Sequence, residues 1–195
     1  MNTPRLLKGG FVYYASGAAE GKVITFQYNP ELLKRTIIPM EGSVQPKETI
    51  SLTLELDASD ALEHADPAAV SLGLHPALAA LELLVQPQEQ SGWLFDFSSW
   101  FSRKSSSLVL FVWGAQRVIP VRVLELMVSE QMFDPRLNPL RASVDVTLET
   151  LTDASVKSNP RAQALMASSH GNKAALARQS GSVGSAEDLL RDEGP

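Results

Sequence analysis

Three consecutive stretches decide the fold: Val121-Arg-Val-Leu-Glu-Leu-Met-Val, Phe133-Asp-Pro-Arg-Leu-Asn-Pro-Leu and Arg141-Ala-Ser-Val-Asp-Val-Thr-Leu-Glu. They predict an extended segment, a tight turn rich in Asp, Asn and Pro, and a second extended segment. In the last stretch apolar and polar residues alternate strictly, and side chains on a strand point to opposite faces in turn. The sequence therefore predicts a strand with one face for a core and one face for water.

An earlier segment repeats this alternation, with Leu52, Leu54 and Leu56 as its apolar set. Two long strands with matching polar faces predict a sheet with a hydrophilic wall, which is either an outer surface or the lining of a pore. The predicted wall residues are Ser51, Thr53, Glu55 and Asp57 on the earlier strand and Ser143, Asp145, Thr147 and Glu149 on the later one.

Composition limits the class of protein. The 195 residues fit one domain with appendages, and 44% hydrophobic with 20% charged residues are typical of a globular chain. The net charge of -5 makes nucleic acid an unexpected partner. Because the chain has no cysteine, disulfides, thiol catalysis and cysteine-ligated zinc are excluded.

The sequence carries no signal for membrane insertion or secretion. The N-terminal residues lack a sustained apolar run, so a signal peptide is not expected. The longest apolar stretches, 78–85 and 108–113, are too short to span a bilayer. We expect a cytoplasmic protein without stable membrane insertion, at least until a larger particle carries it elsewhere.

The remaining pattern predicts a mainly β (α+β) protein with one flanking helix. That helix begins near His75-Pro76 and runs to Val85, since Pro87 ends the apolar period. Residues 58–73 are interpreted as a loop with one helical turn around 60–64. Residues 1–153 form the predicted β domain, and 154–195 form an alanine-rich helix and polar tail that buries little by itself. The other predicted strands are 11–15, 23–28, 33–38, 49–57, 108–113 and 118–128.

The residues that carry chemistry are scattered. His64, His75 and His170 are isolated in sequence, and the carboxylates of 57–66 lack the spacing and glycine of a calcium loop. No nucleophile elbow or phosphate loop is present in the sequence. We therefore expect no enzyme activity, no catalytic residue, no metal and no cofactor.

A dense aromatic patch lies in a polar setting, with Trp93, Phe95, Phe97, Trp100 and Phe101 among serines. Without basic residues around it, stacking on nucleic-acid bases is a weak interpretation. A buried contact or an anchor between subunits is favoured, because tryptophan is enriched at desolvated interface centres.

Five phrases in this order resemble a known family. They are Val23-Ile-Thr-Phe-Gln-Tyr-Asn-Pro-Glu-Leu-Leu-Lys-Arg, Glu48-Thr-Ile-Ser-Leu-Thr-Leu-Glu-Leu-Asp-Ala-Ser-Asp, His75-Pro-Ala-Leu-Ala-Ala-Leu-Glu-Leu-Leu-Val-Gln-Pro, Phe111-Val-Trp-Gly and Phe133-Asp-Pro-Arg-Leu-Asn-Pro-Leu-Arg-Ala. Residues 9–153 resemble the tube-like domain of contractile injection system baseplate proteins, a family that often carries a C-terminal LysM module. That family is similar to phage tail-tube and type VI secretion tube proteins.

The resemblance implies a tail-tube-like antiparallel β-barrel or sandwich that forms a homo-hexameric ring. Such a ring connects the inner tube protein to the spike or hub protein, contacts other baseplate components and templates tube assembly. The eight wall residues would then face the lumen, with Glu55, Asp57, Asp145 and Glu149 making it acidic. The interface residues expected on this basis are Tyr28, Asn29, Pro30, Trp93, Trp100, Phe133, Asp134 and Asn138.

Two alternatives remain open, and one feature departs from the family. We expect an alanine-rich helix and polar tail after residue 153 in place of a LysM domain, and we expect this tail to contact another protein. The protein could instead be the main inner-tube subunit. It could also be a small-ligand-binding β-barrel whose cavity is shaped by Trp93, Phe95, Trp100 and Phe101.

Overall fold

The computed structural model describes residues 7–15, 18–41, 46–85, 107–156 and 159–180. They form one antiparallel sheet and a set of helices, which confirms the predicted class. In chain order the elements are β1 (Gly10–Tyr14), β2 (Lys22–Thr25), β3 (Leu33–Ile38), β4 (Lys47–Asp57), α1 (Ser59–Glu63), α2 (Pro67–Leu72), α3 (His75–Glu82), β5 (Leu108–Val112), β6 (Val118–Phe133), β7 (Pro139–Thr150), α4 (Asp153–Val156) and α5 (Pro160–Gln179).

The sheet has the strand order β2-β1-β5-β6-β7-β4-β3. The two strands predicted to share a polar face, β4 and β7, are direct neighbours, and β6 and β7 form the predicted long hairpin. In the described residues β2 and β3 do not pair with each other, so the hydrogen-bonded sheet is open.

A bulge in β6 divides the sheet into two parts. The register with β7 shifts between Val123 and Glu125, and the extra residue bends the strand. Because of this shift, Val121 and Val123 before the bulge and Leu126 and Val128 after it all pack on the same core. The first part is β2-β1-β5 with the start of β6, and the second is the rest of β6 with β7, β4 and β3.

One core lies between the two parts. Phe11 and Phe111 from the first part and Ile50 and Leu148 from the second are fully buried in the same cluster. The rings of Phe11 and Phe26 meet edge-to-face, with centroids 5.1 Å apart. Each such buried side chain contributes about 1.5–3 kcal/mol relative to exposure, so this cluster is the main stabiliser of the curled sheet.

The curl brings the segment after β2 to the end of β4. The Gln27 side chain donates to the Asp57 carbonyl at 2.6 Å, and the Asp57 amide donates back to Gln27 Oε1 at 3.0 Å. These two bonds replace part of the missing strand pairing between the two parts of the sheet. The described strands thus share one core, although they form a single open sheet that is continuous through β6.

Three short helices follow β4, where one helical turn around 60–64 and one flanking helix were expected; α1 agrees with the expected turn, and α2 was not expected. Asp66 caps α2 by accepting from the Ala68 and Ala69 amides, and Gly73 ends it with a positive φ of 55°. A Cβ on Gly73 would lie 2.5 Å from the Pro139 carbonyl oxygen, so glycine permits close packing on the hairpin. The predicted helix, α3, inserts Leu78 and Leu81 into the core and ends at Glu82, three residues before the expected end.

The start of the C-terminal region packs on the opposite face of the first part of the sheet. Asn159 Oδ1 caps α5 by accepting from the Ala162 amide at 3.1 Å. Val156, Ala162 and Met166 are buried against Leu108 and Leu110. The start of the C-terminal region therefore buries its apolar side chains against the sheet. Within the described ranges, no helix has both the length and the apolar content needed to cross a membrane.

Candidate assembly surface

The eight predicted wall residues lie on one face of β4 and β7. Their register pairs Ser51 with Thr147 and Thr53 with Asp145, and the alternate positions are buried in the core. Neighbouring strands extend this face on both sides. We call it the polar wall; its further members are Lys34 and Thr36 on β3, Lys47 and Thr49 on β4, Arg141 on β7, and Arg122, Glu125, Met127, Ser129 and Gln131 on β6.

Two wall carboxylates are neutralised by cations on neighbouring strands. Asp57 pairs with Arg141 at 2.7 Å, and Glu149 pairs with Lys47 at 2.6 Å and also with Arg122. Hydrogen bonds from Ser59, and then from Arg141, lower the pKa of Asp57 from its ordinary 3.8 to about 2. The hydrogen bond from Lys47 is the largest influence on Glu149, and with Arg122 it lowers the pKa of that carboxyl.

The other two expected wall carboxylates have no cation. Asp145 accepts from Thr53 Oγ1 at 2.5 Å, and Glu55 accepts from Ser143 Oγ at 3.2 Å. Among the described residues, neither forms an ion pair. The expected acidic wall is thus a mixed-charge wall. Its cations are Lys34, Lys47, Arg122 and Arg141, and its anions are Glu55, Asp57, Glu125, Asp145 and Glu149.

Three predicted interface residues border a groove beside the wall. The groove has a volume of about 750 Å³ and lies between residues 28–34 and the wall residues around Thr53 and Asp145. Asn29 fixes its rim, because its Oδ1 accepts from the Gly9 amide and its Nδ2 donates to the Leu7 carbonyl, both at 2.8 Å. Tyr28 and Pro30 line the groove, and Tyr28 stays 46% exposed.

The next three predicted interface residues form the turn of the β6–β7 hairpin. Asp134 Oδ1 accepts from the Arg136 and Asn138 amides at 2.7 and 2.9 Å, and its Oδ2 accepts from Asn138 Nδ2. The hydrogen bonds from Asn138 lower the pKa of Asp134. Asp134 and Asn138 therefore hold the turn itself, whereas Phe133 is half exposed.

The last two predicted interface residues, Trp93 and Trp100, lie outside the described residues, as does the rest of the aromatic patch.

Two strand edges flank the polar wall without a partner. β3 is the terminal strand, and after Val121 the described strands pair with β6 only on the side of β7. Both edges carry exposed apolar side chains, including Ile37 and Ile38 on β3 and Leu124 and Met127 on β6. These residues were not among the predicted interface residues, since an edge strand can be recognised only when the strand order is known.

Glu48 is a second feature that the sequence analysis missed. It is 2% exposed, and its carboxylate accepts hydrogen bonds from Arg35 Nε of β3 at 2.6 Å and from Lys173 Nζ of α5 at 3.0 Å. Burial by itself raises the pKa of this carboxyl, but the hydrogen bonds from the two cations outweigh burial and lower it. The sequence pattern that could have revealed it is its position two residues before Ile50 and four before Leu52, which places it on the core side of β4.

The acidic segment 57–66 has structural contacts. Asp57 is ion-paired, Asp66 caps α2, and His64 Nδ1 lies 2.7 Å from the Asp60 carbonyl oxygen. Across the parts of the chain that the structure describes, no three His, Asp or Glu side chains converge in a way that would hold a metal ion.

The surface that emerges is a mixed-charge wall between two edges that no described strand pairs with, with a groove at one side and an exposed hairpin turn at one end. No protein-family model matches the chain, and no curated protein matches its sequence.

Proposed function

We propose that the protein is a structural baseplate component of a contractile injection system, forming a hexameric ring that connects the inner tube to the spike or hub. The observation that carries this proposal is the four-stranded wall β6-β7-β4-β3, which on each side ends in an edge that pairs with no other described strand. The class of particle and the number of subunits come from the sequence resemblance. The geometry supports the part that concerns ring closure.

The two edges are suited to each other. Unpaired strands with apolar side chains are an aggregation hazard unless another strand covers them. A head-to-tail contact uses two different patches of one subunit, and it closes into a ring when the rotation between copies allows it. If β3 of one copy joins the second half of β6 in the next, the hazard is removed and the wall continues from copy to copy.

The chemistry of the wall fits a channel lining. Asp57 and Glu149 are paired with cations, and the four cations of the wall nearly balance its five anions, so passing cargo would meet no strong field of one sign. The ring acts by templating: it offers a fixed circle of strands and loops on which the next layer assembles. Neither step requires a reacting side chain.

The proposal is tested by the mass and shape of the purified full chain. Sedimentation at high concentration should show a species of six copies, and electron micrographs should show rings with a central hole. Ile37→Lys places a charge on the β3 edge at a 51% exposed position and should reduce the protein to monomers. Leu176→Lys, at a similarly exposed position on α5, is the matched control and should leave the ring intact.

A chain that remains monomeric at every concentration overturns the proposal. Rings that stack into long filaments without any other protein would instead identify the main inner-tube subunit.

A further inference from the structure

We infer that the tip of the β6–β7 hairpin in one copy docks into the groove at residues 28–34 of a second copy. The hairpin tip comprises Met132, Phe133, Arg136 and Leu137. This inference rests on the proposed ring and names the surfaces through which adjacent subunits recognise each other.

The hairpin tip is apolar, exposed and rigid. Met132, Phe133 and Leu137 are 61%, 50% and 76% exposed. The Asp134 carboxylate closes the turn by accepting hydrogen bonds from two backbone amides. Asn138 Nδ2 also donates to the Ser71 carbonyl at 3.2 Å, and this bond holds the turn against α2. A preorganised apolar projection loses little conformational entropy when it is buried by a partner.

Leu137 is held at a φ of 67°, which residues other than Gly, Asn and Asp seldom adopt. An exposed leucine in a strained conformation contributes nothing to this subunit's own core. A contact with another molecule gives that side chain a role.

The groove complements the tip in shape and in charge. Its volume of about 750 Å³ is in the range of pockets that bury small ligands, so it has room for several side chains. Tyr28, Pro30 and the 62% exposed Leu32 provide apolar contact. The lining carries one cation, Lys34, and three carboxylates, Glu31, Glu55 and Asp145, so it is acidic on balance. Glu55 and Asp145, which form no ion pair among the described residues, would accept the guanidinium of Arg136.

Strand direction brings the two surfaces together. Within the subunit every neighbouring pair from β6 to β3 is antiparallel, so β6 and β3 run in opposite directions. Rotating a copy about an axis parallel to the strands does not change strand directions, so β3 of one copy and β6 of the next are also antiparallel. When β3 meets the second half of β6 of the next copy, the end of that β6 at Phe133 therefore lies beside the start of β3 at Leu33, where the groove is.

Cysteine cross-linking tests the contact cleanly, because the chain has no cysteine of its own. The double variant Leu32→Cys with Leu137→Cys should give a disulfide-linked ladder of up to six copies after mild oxidation. The control, Leu32→Cys with Leu176→Cys, keeps two exposed positions but places the second on α5, and it should stay at the size of one chain.

A charge exchange provides the second readout. Arg136→Glu should weaken assembly by about tenfold or more, and adding Glu55→Lys to that variant should restore most of the loss. The exposed position of Arg136 leaves folding intact, which circular dichroism of the monomer checks.

The outcomes separate this inference from the proposed function. Rings that form without the Leu32–Leu137 cross-link, and that Arg136→Glu leaves unchanged, overturn the docking contact and leave the ring standing. Monomers with neither rings nor cross-links overturn both.

Discussion

The two faces of β4 and β7 differ in what their residues do, although they alternate along the same strands. On one face Leu54, Val144 and Leu148 are almost completely buried in the core. On the other, Thr53, Asp145 and their neighbours form hydrogen bonds and ion pairs on a face that no described helix covers. The comparison teaches that the core needs only every second position of these strands, so the alternate positions are not fixed by packing in the core.

The strongest test of this division compares adjacent residues of β7. Leu148→Ala removes a fully buried side chain and should lower the free energy of unfolding by about 3 kcal/mol. Thr147→Ala, one position away on the wall, should change it by less than about 0.5 kcal/mol. Chemical denaturation followed by circular dichroism measures both. Equal losses from the two substitutions would contradict the division between the faces.

A smaller effect is expected where a charge lies on the core side. Glu48→Gln removes the carboxylate that Arg35 and Lys173 share and should cost about 1–2 kcal/mol. The cost stays below that of a fully buried pair because the Arg35 and Lys173 side chains are 29% and 48% exposed and regain water.

Glu55→Gln on the wall is the matched control and should be nearly neutral. Hydrogen exchange should show faster exchange in the second half of α5 for Glu48→Gln only. Unchanged protection of α5 would mean that the Lys173 contact does not hold the helix.

The smallest expected effect is a dependence of the free energy of unfolding on pH, caused by the wall residue Asp57. Because the pKa of Asp57 is depressed in the folded state, its contribution to stability is complete above its ordinary pKa. That contribution is lost as the pH falls from about 4 to about 2.

Asp57→Asn should flatten this part of the stability profile, measured by denaturation at a series of acidic pH values. Arg141→Met removes the ion pair but keeps the Ser59 hydrogen bond, so it should flatten the profile only in part. A profile that Asp57→Asn leaves as steep as before would show that other carboxyls dominate acid unfolding.

The alternation of apolar and polar residues along the sequence was sufficient to predict much of the sheet. The bounds 33–38 of β3 and the opposite faces of β4 and β7 agree with the sequence analysis, because alternation with a period of two depends only on neighbouring residues. Class and hairpin order followed from the same signal.

Features that depend on distant parts of the chain could not be predicted from this local alternation. β6 was expected to end at residue 128 but continues to Phe133, since pairing with β7 holds its polar residues in a strand. Glu48 is stabilised by Lys173, 125 residues away in sequence. The groove likewise joins residues 28–34 to Asp145 only after β3, β4 and β7 have paired.

The bulge at Val123–Glu125 sets the alternation of faces along the rest of β6, the longest strand. Leu124 is the extra residue, because Val123 and Glu125 lie opposite the consecutive residues Leu148 and Thr147. If the present sequence alternated regularly through this point, Glu125 and Met127 would turn inward, while Leu126 and Val128 would turn out to water. One unpaired residue therefore decides which face every later residue of β6 takes.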